Sequence, residues 1–305
     1  MGYNKTTAEN IKAFAKNIHL PDEAFAQMLP VCESVLTAYA EKFEKIKTNA
    51  FDNPERSKAN EAILARIKTI AKNLGIQNDL SMLAVLFLLG MDAHDLYKCL
   101  NLSDEIYYAS MKDISIWTKT CMQEAGHVGL YEYGWIMNFI RAEIIRLHRL
   151  EFHRITFNPR SRWEKCGLTV LKGDSVINIH VPSDGALNHD DVIESYRRAY
   201  RHFGCTGNAA FVCHSWLLYP GLLEFLPENS NIRAFAEDFD IIRTDPEKNC
   251  HELWRVFGKR ENYDPAELPR NNSLQRGLAD YLASHDSVTG SAYGIFVFDG
   301  EKILK

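Results

Sequence analysis

The chain has 305 residues, a length that favours two domains because a single hydrophobic core rarely grows beyond about 250 residues. Hydrophobic residues make up 46% and charged residues 25% of the sequence, and these ordinary globular values exclude extensive disorder. The net charge is −5 and the densest basic runs, 141–149 and 197–201, are short, so we expect no nucleic-acid partner.

The cysteines predict reduced thiols. Their number is odd, their spacings are wide and no CxxC occurs, so neither a disulfide framework nor a cysteine-rich zinc site fits, and no metal is expected. The cysteines are Cys32, Cys99, Cys121, Cys166, Cys205, Cys213 and Cys250.

Residues 1–20 lack the apolar segment of a signal peptide, and the longest apolar run, 80–91, falls short of the roughly 20 residues that span a bilayer. We expect a cytoplasmic protein without a membrane partner.

Apolar residues recur at helical spacing through the first half. Residues 21–47 predict helical structure, and Pro30 should begin or kink a helix there. The clearest helix covers 58–74 and should end at Gly75.

Further helices are predicted towards the middle of the chain. They cover the apolar run at 80–91 and then residues 103–121. A last helix carries an aromatic face that includes Tyr131 and Trp135. Because this face lies close in sequence to the end of the helical half, its two aromatic residues are candidate substrate contacts, although core packing is the alternative.

The hydrophobic period changes to that of strands near Leu147. We predict strands at 150–157, 168–171, 176–181, 209–215, 239–243 and 293–298, and helices at 190–203, 222–225, 231–238, 251–257 and 273–283. The second and third strands should form a hairpin across Gly173 and Asp174. The order predicts an α+β protein with an all-helical domain at 1–146 and a mixed sheet domain at 147–305.

Four short segments of the predicted sheet domain add to this interpretation of the fold. They are Arg149-Leu150-Glu151-Phe152, Asn178-Ile179-His180-Val181-Pro182, Phe211-Val212-Cys213-His214-Ser215-Trp216-Leu217-Leu218 and Ser230-Asn231-Ile232. Together with the element order, they resemble a bacterial acyltransferase family with a helical N-acyltransferase N-terminal domain and a GNAT-like C-terminal domain. The resemblance implies an N-acyltransferase that moves an acyl group from an acyl-CoA co-substrate to an amine. A GNAT-like module that binds a small metabolite or a protein partner without catalysis is the alternative.

The expected CoA loop departs from the usual pattern. GNAT enzymes of the standard kind carry Q/R-x-x-G-x-G/A before the helix that receives the pyrophosphate, whereas residues 181–191 hold one glycine and three aspartates. The site is therefore altered, displaced or lost. The candidate contacts to CoA are Val181, Ser183, Gly185 and Arg197.

Polar residues on strands supply the catalytic candidates. Glu151 and His153 share one face of their strand, as do Asn178 and His180 of theirs. Cys213 and Ser215 share the face of the next strand opposite to His214 and Trp216. Burying such residues is costly unless they are hydrogen-bonded, so they suggest a polar pocket within the sheet, while satisfied core residues are the alternative.

Acyl transfer to an amine needs a base and then a proton donor for the leaving thiolate. His180 is the first candidate base because a histidine titrates near neutrality, and His214 is the second. Glu151 could orient a histidine or act as the base, and Tyr219 could be the acid.

Two other chemistries stay open at this point. Cys213 could carry an acyl intermediate if His180 or His214 lowered its pKa. A metal site from Glu151 and the three strand histidines is a further alternative. The candidate substrate contacts are His153, Asn178, Ser215, Trp216, Asn231, Tyr131 and Trp135. The substrate should be a small molecule, but the acceptor, the acyl chain and the oligomeric state are not determined by the sequence.

Overall fold

A computed structural model describes residues 7–247, 253–258, 264–284 and 289–304. The chain divides into two compact units, Met1–Arg146 and Leu147–Lys305. The predicted α+β class is confirmed, since a helical region is followed by a mixed sheet domain. Cys250 and the first two residues of the helix predicted at 251–257 lie outside the described residues.

The first unit is a set of helices. They are α1 (Ala8–Asn17), α2 (Asp22–Leu36), α3 (Ala40–Phe51), α4 (Arg56–Leu74), α5 (Asn78–Cys99), α6 (Asp104–Ala125) and α7 (Tyr133–Ile140). Gly75 ends α4 in the left-handed conformation, at a φ of 66°, as its position predicts. The expectation that Pro30 begins a helix is wrong, because α2 starts at Asp22 and runs through Pro30.

The core of this unit is α5. Among the described helices it alone has the length and apolar composition to cross a membrane, yet 72% of its most apolar window is buried inside the protein. A helix that is apolar on all sides and buried by its neighbours is typical of a protein core. Tyr97 of α5 and Tyr107 of α6 are buried, and their hydroxyls donate to Phe139 O and Gly90 O.

A short strand, β1 (Ile145–Leu147), leads into the second unit. Its further strands are β2 (Leu150–Thr156), β3 (Arg162–Lys165), β4 (Leu168–Leu171), β5 (Ser175–His180), β6 (Ala209–Ser215), β7 (Asp240–Glu247), β8 (Thr289–Phe298) and β9 (Ile303–Leu304). Its helices are α8 (His189–His202), α9 (Pro220–Leu223), α10 (Asn231–Ala236), α11 (Leu253–Phe257) and α12 (Ser273–Ser284).

From β2 onward the main sheet has the order β2-β5-β6-β8-β7, with β9 beside β8. Only the β5–β6 pair among these described neighbours is parallel, and α8 makes the crossover between them. The predicted hairpin of β4 with β5 is wrong. β4 instead pairs with β3 in a separate two-stranded sheet, where Trp163 lies opposite Val170, and β5 pairs with β2.

The two faces of the main sheet differ in character. On one face Phe211 of β6 and Phe296 of β8 stack at 5.4 Å, and Tyr196 of α8 packs on Phe296 at 4.9 Å. The other face has an aliphatic and aromatic cluster that includes Val176 and Val212. Because successive residues of a strand point to opposite faces, Glu151, His153, Asn178, His180 and His214 lie on this second face, towards the strand ends.

Candidate active site

The parallel strands β5 and β6 part at the end where the polar residues lie. Their pairing runs through Ile177–Phe211 and Asn178–Val212, whereas β5 continues to His180 and β6 to Ser215. Where a parallel ladder stops, backbone groups of both strands become available to a ligand. The ends of β5 and β6 are therefore a candidate place for an extended ligand.

Three side chains meet beside this opening. His153 lies opposite Asn178 in the antiparallel β2–β5 ladder, and His180 follows on the same face of β5. The Nδ2 atom of Asn178 lies 3.0 Å from Nε2 of His153 and 2.9 Å from Nε2 of His180. The two Nε2 atoms are 3.2 Å apart. The polar faces predicted separately for β2 and β5 thus form one hydrogen-bonded cluster.

Both histidines of this cluster are neutral at pH 7. Burial lowers the pKa of His180 to about 3, and the neighbouring His153 adds to the shift. Burial lowers the pKa of His153 as well. A neutral imidazole has one donor and one acceptor nitrogen. The expectation that His180 titrates near neutrality is not met, because burial of the ring disfavours its charged form.

Glu151 adds a carboxyl group to the same patch. It lies opposite His180 in the β2–β5 ladder and is 1% exposed. Cross-strand partners have neighbouring Cβ atoms on one face of the sheet. Glu151 is therefore placed to orient the His180 ring, which is one of the two roles that the sequence suggests for it.

His214 belongs to a second polar group. Its Nε2 lies 3.1 Å from Oδ2 of Asp245 and 3.0 Å from Oγ of Ser291, and Arg243 donates to the same Asp245 oxygen. Tyr293 stacks on the His214 ring at 5.9 Å. Since both polar contacts use Nε2, His214 does not link Ser291 to Asp245 through its two nitrogens, as a hydrolase triad would.

A buried arginine organises the loop that precedes α8. Nε of Arg149 donates to Ala186 O at 2.8 Å, and its Nη2 donates to Pro182 O at 2.9 Å and to Gly185 O at 2.7 Å. Arg149 is 9% exposed. Sequence reasoning did not assign this role, although Arg149 opens the first of the family-like segments.

The orientation of that loop has a consequence for anion binding. In a trans peptide the C=O of one residue and the N–H of the next point in opposite directions. With the carbonyls of Pro182, Gly185 and Ala186 turned towards Arg149, the N–H groups of the residues after them face away from it. Ser183 and Gly185 are exposed and Val181 is half-buried, so the loop can present N–H groups to a ligand without the usual glycine pattern.

The first turn of α8 is satisfied by its own side chains. Asn188 accepts from the N–H of Asp190, and Asp191 pairs with Nε2 of His148 at 3.1 Å. Arg197 lies further along α8, where its Nη2 donates to Glu301 O at 3.2 Å. The structure therefore ties Arg197 to the turn before β9 and does not place it at the helix start.

Comparisons with known proteins agree with this architecture. The GNAT-like C-terminal domain model matches residues 144–296, half of the chain. The chain belongs to the GNAT-like C-terminal domain family. The N-acyltransferase N-terminal domain model matches residues 9–142, so the family resemblance seen in the sequence is confirmed for both halves. A comparison with the sequences of characterised proteins found no significant match.

Solved structures share the fold at low identity. An acyltransferase in complex with decanoyl-CoA and teicoplanin is 19% identical, with a TM-score of 0.67 over 94% of this chain and 87% of that one. An acyltransferase in complex with CoA and 10C-teicoplanin is also 19% identical, with a TM-score of 0.66 and the same coverage. An acyltransferase in complex with decanoyl-CoA is 17% identical, with a TM-score of 0.60 over 93% of this chain and 98% of that one.

Cys213 of the GNAT-like domain lies away from the histidines. It is on the face of β6 that packs on α8, and burial raises its pKa to about 12. The expectation that His180 or His214 lowers this pKa is wrong, because both rings lie on the opposite face of the sheet. Ser215 shares the face of Cys213, and its Oγ accepts from Leu217 N at 3.2 Å.

Two of the aromatic candidates line an apolar pocket of the GNAT-like domain. Trp216 lies in a short 3-10 turn after β6, and Tyr219 follows it. The pocket that they share is also lined by Leu222, Phe225, Leu253, Val256, Leu278 and Tyr281. Tyr219 approaches Gly290, the residue before Ser291, so closely that a Cβ on that glycine would lie 2.9 Å from its ring. This places Tyr219 on the side of the sheet end where His214 lies.

The remaining candidate substrate contacts are Asn231, Tyr131 and Trp135. Asn231 is the exposed first residue of α10, and Ser230 occupies the N-cap position of that helix. In the helical unit, Tyr131 donates from its hydroxyl to Oε2 of Glu124 at 2.5 Å. Trp135 donates from Nε1 to Asp113 Oδ1 at 2.8 Å. Each of these two aromatic residues takes part in a hydrogen bond within its own unit.

Proposed function

We propose that this protein transfers an acyl group from an acyl-CoA donor to an amine of a small-molecule acceptor. The observation that carries the proposal is the pair of neutral imidazoles, His153 and His180, held by Asn178 beside the parted ends of β5 and β6. Family membership over residues 144–296 supports it. The shared fold with acyltransferases in complex with decanoyl-CoA or CoA also supports it.

The donor would lie between the ends of β5 and β6. The backbone N–H groups of Ser183 and Ala186, in the loop held by Arg149, would receive its phosphates, with Val181 and Gly185 as neighbouring contact residues. Asp190 and Asp191 at the start of α8 disfavour an anion directly on the helix terminus. We therefore place the pyrophosphate over the loop rather than on the first turn of α8.

The chemistry needs little beyond positioning and proton transfer. The amine nitrogen attacks the thioester carbonyl, the C–S bond breaks and CoA leaves as a thiolate. His180 would accept the proton that the amine loses, while Glu151 and Asn178 hold its ring. Tyr219 would return a proton to the thiolate. The other proposed substrate contacts in this unit are His153, Ser215, Trp216 and Asn231, and none of them need touch the reacting atoms.

His214 is the second candidate for the base. It is exposed and bonded to a carboxylate, in contrast to the half-buried His180. The acid side of the pH profile tests the first candidate. A base with the lowered pKa of His180 gives no activity loss near pH 6.5, so the profile follows the deprotonation of the amine instead.

The test is an assay of purified chain with CoA thioesters of two to ten carbons and a panel of amines. Thiol release and product mass are followed together, so that hydrolysis is distinguished from transfer. We expect amide product, and we expect the His180→Ala variant to bind donor and to lose at least about 100-fold in kcat. An unchanged kcat in His180→Ala contradicts the base assignment. Binding of CoA thioesters without turnover on any amine favours the non-catalytic module instead.

A further inference from the structure

A group of three potential metal ligands lies in the helical unit, apart from the proposed acyl-transfer chemistry. Asp79 is in the first turn of α5, Cys121 is in the last turn of α6, and His127 follows the end of α6. The ligand atoms of the three side chains all lie within 4.8 Å of one another. Among the described residues, this is the one such group of histidine, cysteine and acidic side chains.

Two glycines bring the three residues together. Gly126 ends α6 with a φ of 70°, in the left-handed region, and so turns the chain directly before His127. Gly129 lets the following segment approach α5, since a Cβ there would lie 2.5 Å from the Cβ of Asp79. The N–H of Leu130 also donates to Asp79 O at 3.0 Å. The backbone thus fixes the His127 ring against the start of α5.

The distances suit a tetrahedral metal ion. Nε2 of His127 lies 3.1 Å from Oδ2 of Asp79 and 3.9 Å from Sγ of Cys121. Zinc bonds of roughly 2.0–2.1 Å to nitrogen and oxygen and about 2.3 Å to sulfur place tetrahedral ligands about 3.3 Å (N to O) and about 3.6 Å (N to S) apart. Shifts of a few tenths of an ångström would bring these two contacts of His127 to the tetrahedral values.

The hydrogen bonds of His127 also favour an ion at Nε2. Its Nδ1 lies 3.2 Å from Ala125 O, a group that can only accept, so Nδ1 carries a proton. In the neutral ring, Nε2 is then an acceptor that faces the Asp79 carboxylate, which is also an acceptor. A cation between them, or a second proton on the ring, removes this conflict. A backbone carbonyl on the far nitrogen is the usual partner of a metal-bound histidine.

Charge and access point to zinc among the possible ions. A carboxylate, a thiolate and a neutral imidazole balance one divalent ion, and a thiolate with an imidazole is a ligand pair that zinc favours. Cys121 is fully buried, whereas the side chains of His127 and Asp79 are 28% and 29% exposed. Solvent can therefore reach the group from one side and supply a fourth ligand.

We propose that Asp79, Cys121 and His127 bind a zinc ion that joins the start of α5 to the end of α6. The proposal departs from the expectation that the protein holds no metal. The site was not predictable from the sequence, since Asp79 is distant from the other two residues and no zinc motif has their spacing. It is independent of acyl transfer, because none of the three residues is among the proposed catalytic groups.

The test uses tag-free full-length chain, treated with a chelator, kept reduced and titrated with Zn²⁺ in a calorimeter. We expect one ion per chain. Titration with Co²⁺ should give the thiolate charge-transfer band and the visible bands of a tetrahedral site. Cys121→Ser and His127→Gln should each weaken zinc binding by roughly 100-fold and remove or shift these bands. Circular dichroism checks that each variant is folded, and the half-buried His127 provides the test if Cys121→Ser does not fold.

Two matched controls come from the same unit. His94→Gln breaks a second histidine–aspartate pair, His94 with Asp104 at 2.7 Å, and Cys99→Ser removes an exposed thiol. Both should bind zinc as the parent chain does. The proposal is overturned if the parent binds no stoichiometric zinc, which would leave a histidine–aspartate ion pair. It is also overturned if binding survives in both Cys121→Ser and His127→Gln.

Discussion

Replacing Arg149 by alanine tests whether the loop before α8 forms the donor site. The buried guanidinium makes three hydrogen bonds to loop carbonyls, at 2.7 to 2.9 Å. Hydrogen bonds to a charged group contribute about 1.5–3 kcal/mol each, but water can replace part of this at the exposed carbonyls of Gly185 and Ala186. We therefore expect a net loss of about 2–4 kcal/mol in the free energy of unfolding. For a domain of this size, that corresponds to a fall in Tm of about 4–16 °C.

The same substitution should weaken donor binding, because the loop N–H groups would no longer be held outward. We expect the Kd for acetyl-CoA, measured by calorimetry below the Tm of the variant, to rise at least about tenfold, which is about 1.4 kcal/mol. Arg154→Ala is the matched control. Arg154 lies on β2, the strand that follows Arg149, and its Nη2 donates at 2.7 Å to the carbonyl of Phe203, at the other end of α8. If Arg149→Ala loses stability as expected but binds CoA like the Arg154 control, the loop is not the phosphate site and the reasoning is refuted.

Three further results are expected. The pKa of His180 is lowered to about 3 in the folded state, so the unfolded chain binds more protons than the folded one between that pH and about 6.5. The free energy of unfolding should therefore fall by up to about 1.4 kcal/mol per pH unit on acidification through this range. Denaturant titrations of His180→Asn should show a smaller slope in this range, whereas an unchanged slope would indicate that the ring is not buried in solution. Cys213→Ala should keep its kcat, because a buried thiol with a pKa near 12 is not a nucleophile at neutral pH, and loss of turnover in a folded variant would restore the acyl-cysteine route. Gly129→Ala should lower the Tm by at least about 4 °C in a thermal melt, since its Cβ would clash with Asp79, and an unchanged Tm would contradict the close approach.

The alternation of side chains between the two faces of a single strand was predictable from the sequence. Glu151 with His153, and Asn178 with His180, were assigned to shared faces because side chains on a strand alternate with a period of two. The same rule placed Cys213 and His214 on opposite sides of β6. These are local properties of an extended backbone, and they do not depend on which strands become neighbours.

Pairing between strands was not predictable in the same way. The turn at Gly173 and Asp174 suggested that β4 pairs with β5, but β4 pairs with β3, a strand whose sequence of Arg162, Trp163, Glu164 and Lys165 has little strand character. What decides the pairing is burial of Trp163 and Val170 in the apolar cluster, a contact between residues on two strands. Chain-distant packing of this kind overrides local propensity.

The properties of the site depend even more on the assembled structure. The expectation for His180 rested on the pKa of a free histidine, and only the packed sheet shows that burial lowers that pKa. The role of Arg149 depends on three carbonyls that lie more than thirty residues further along the chain. Neither burial nor the direction of a carbonyl has a signature in a single sequence.

The two faces of the main sheet carry different side chains, so the histidine cluster depends on the register of the strands. Along β5 and β6, residues of one parity build the aromatic packing on α8, and those of the other parity carry Asn178, His180 and His214. A slip of one residue in strand register would exchange the two sets, placing imidazoles under α8 and phenylalanines on the face of the apolar cluster. The packing on α8 therefore fixes the register that brings Asn178 and His180 to the same face as His153.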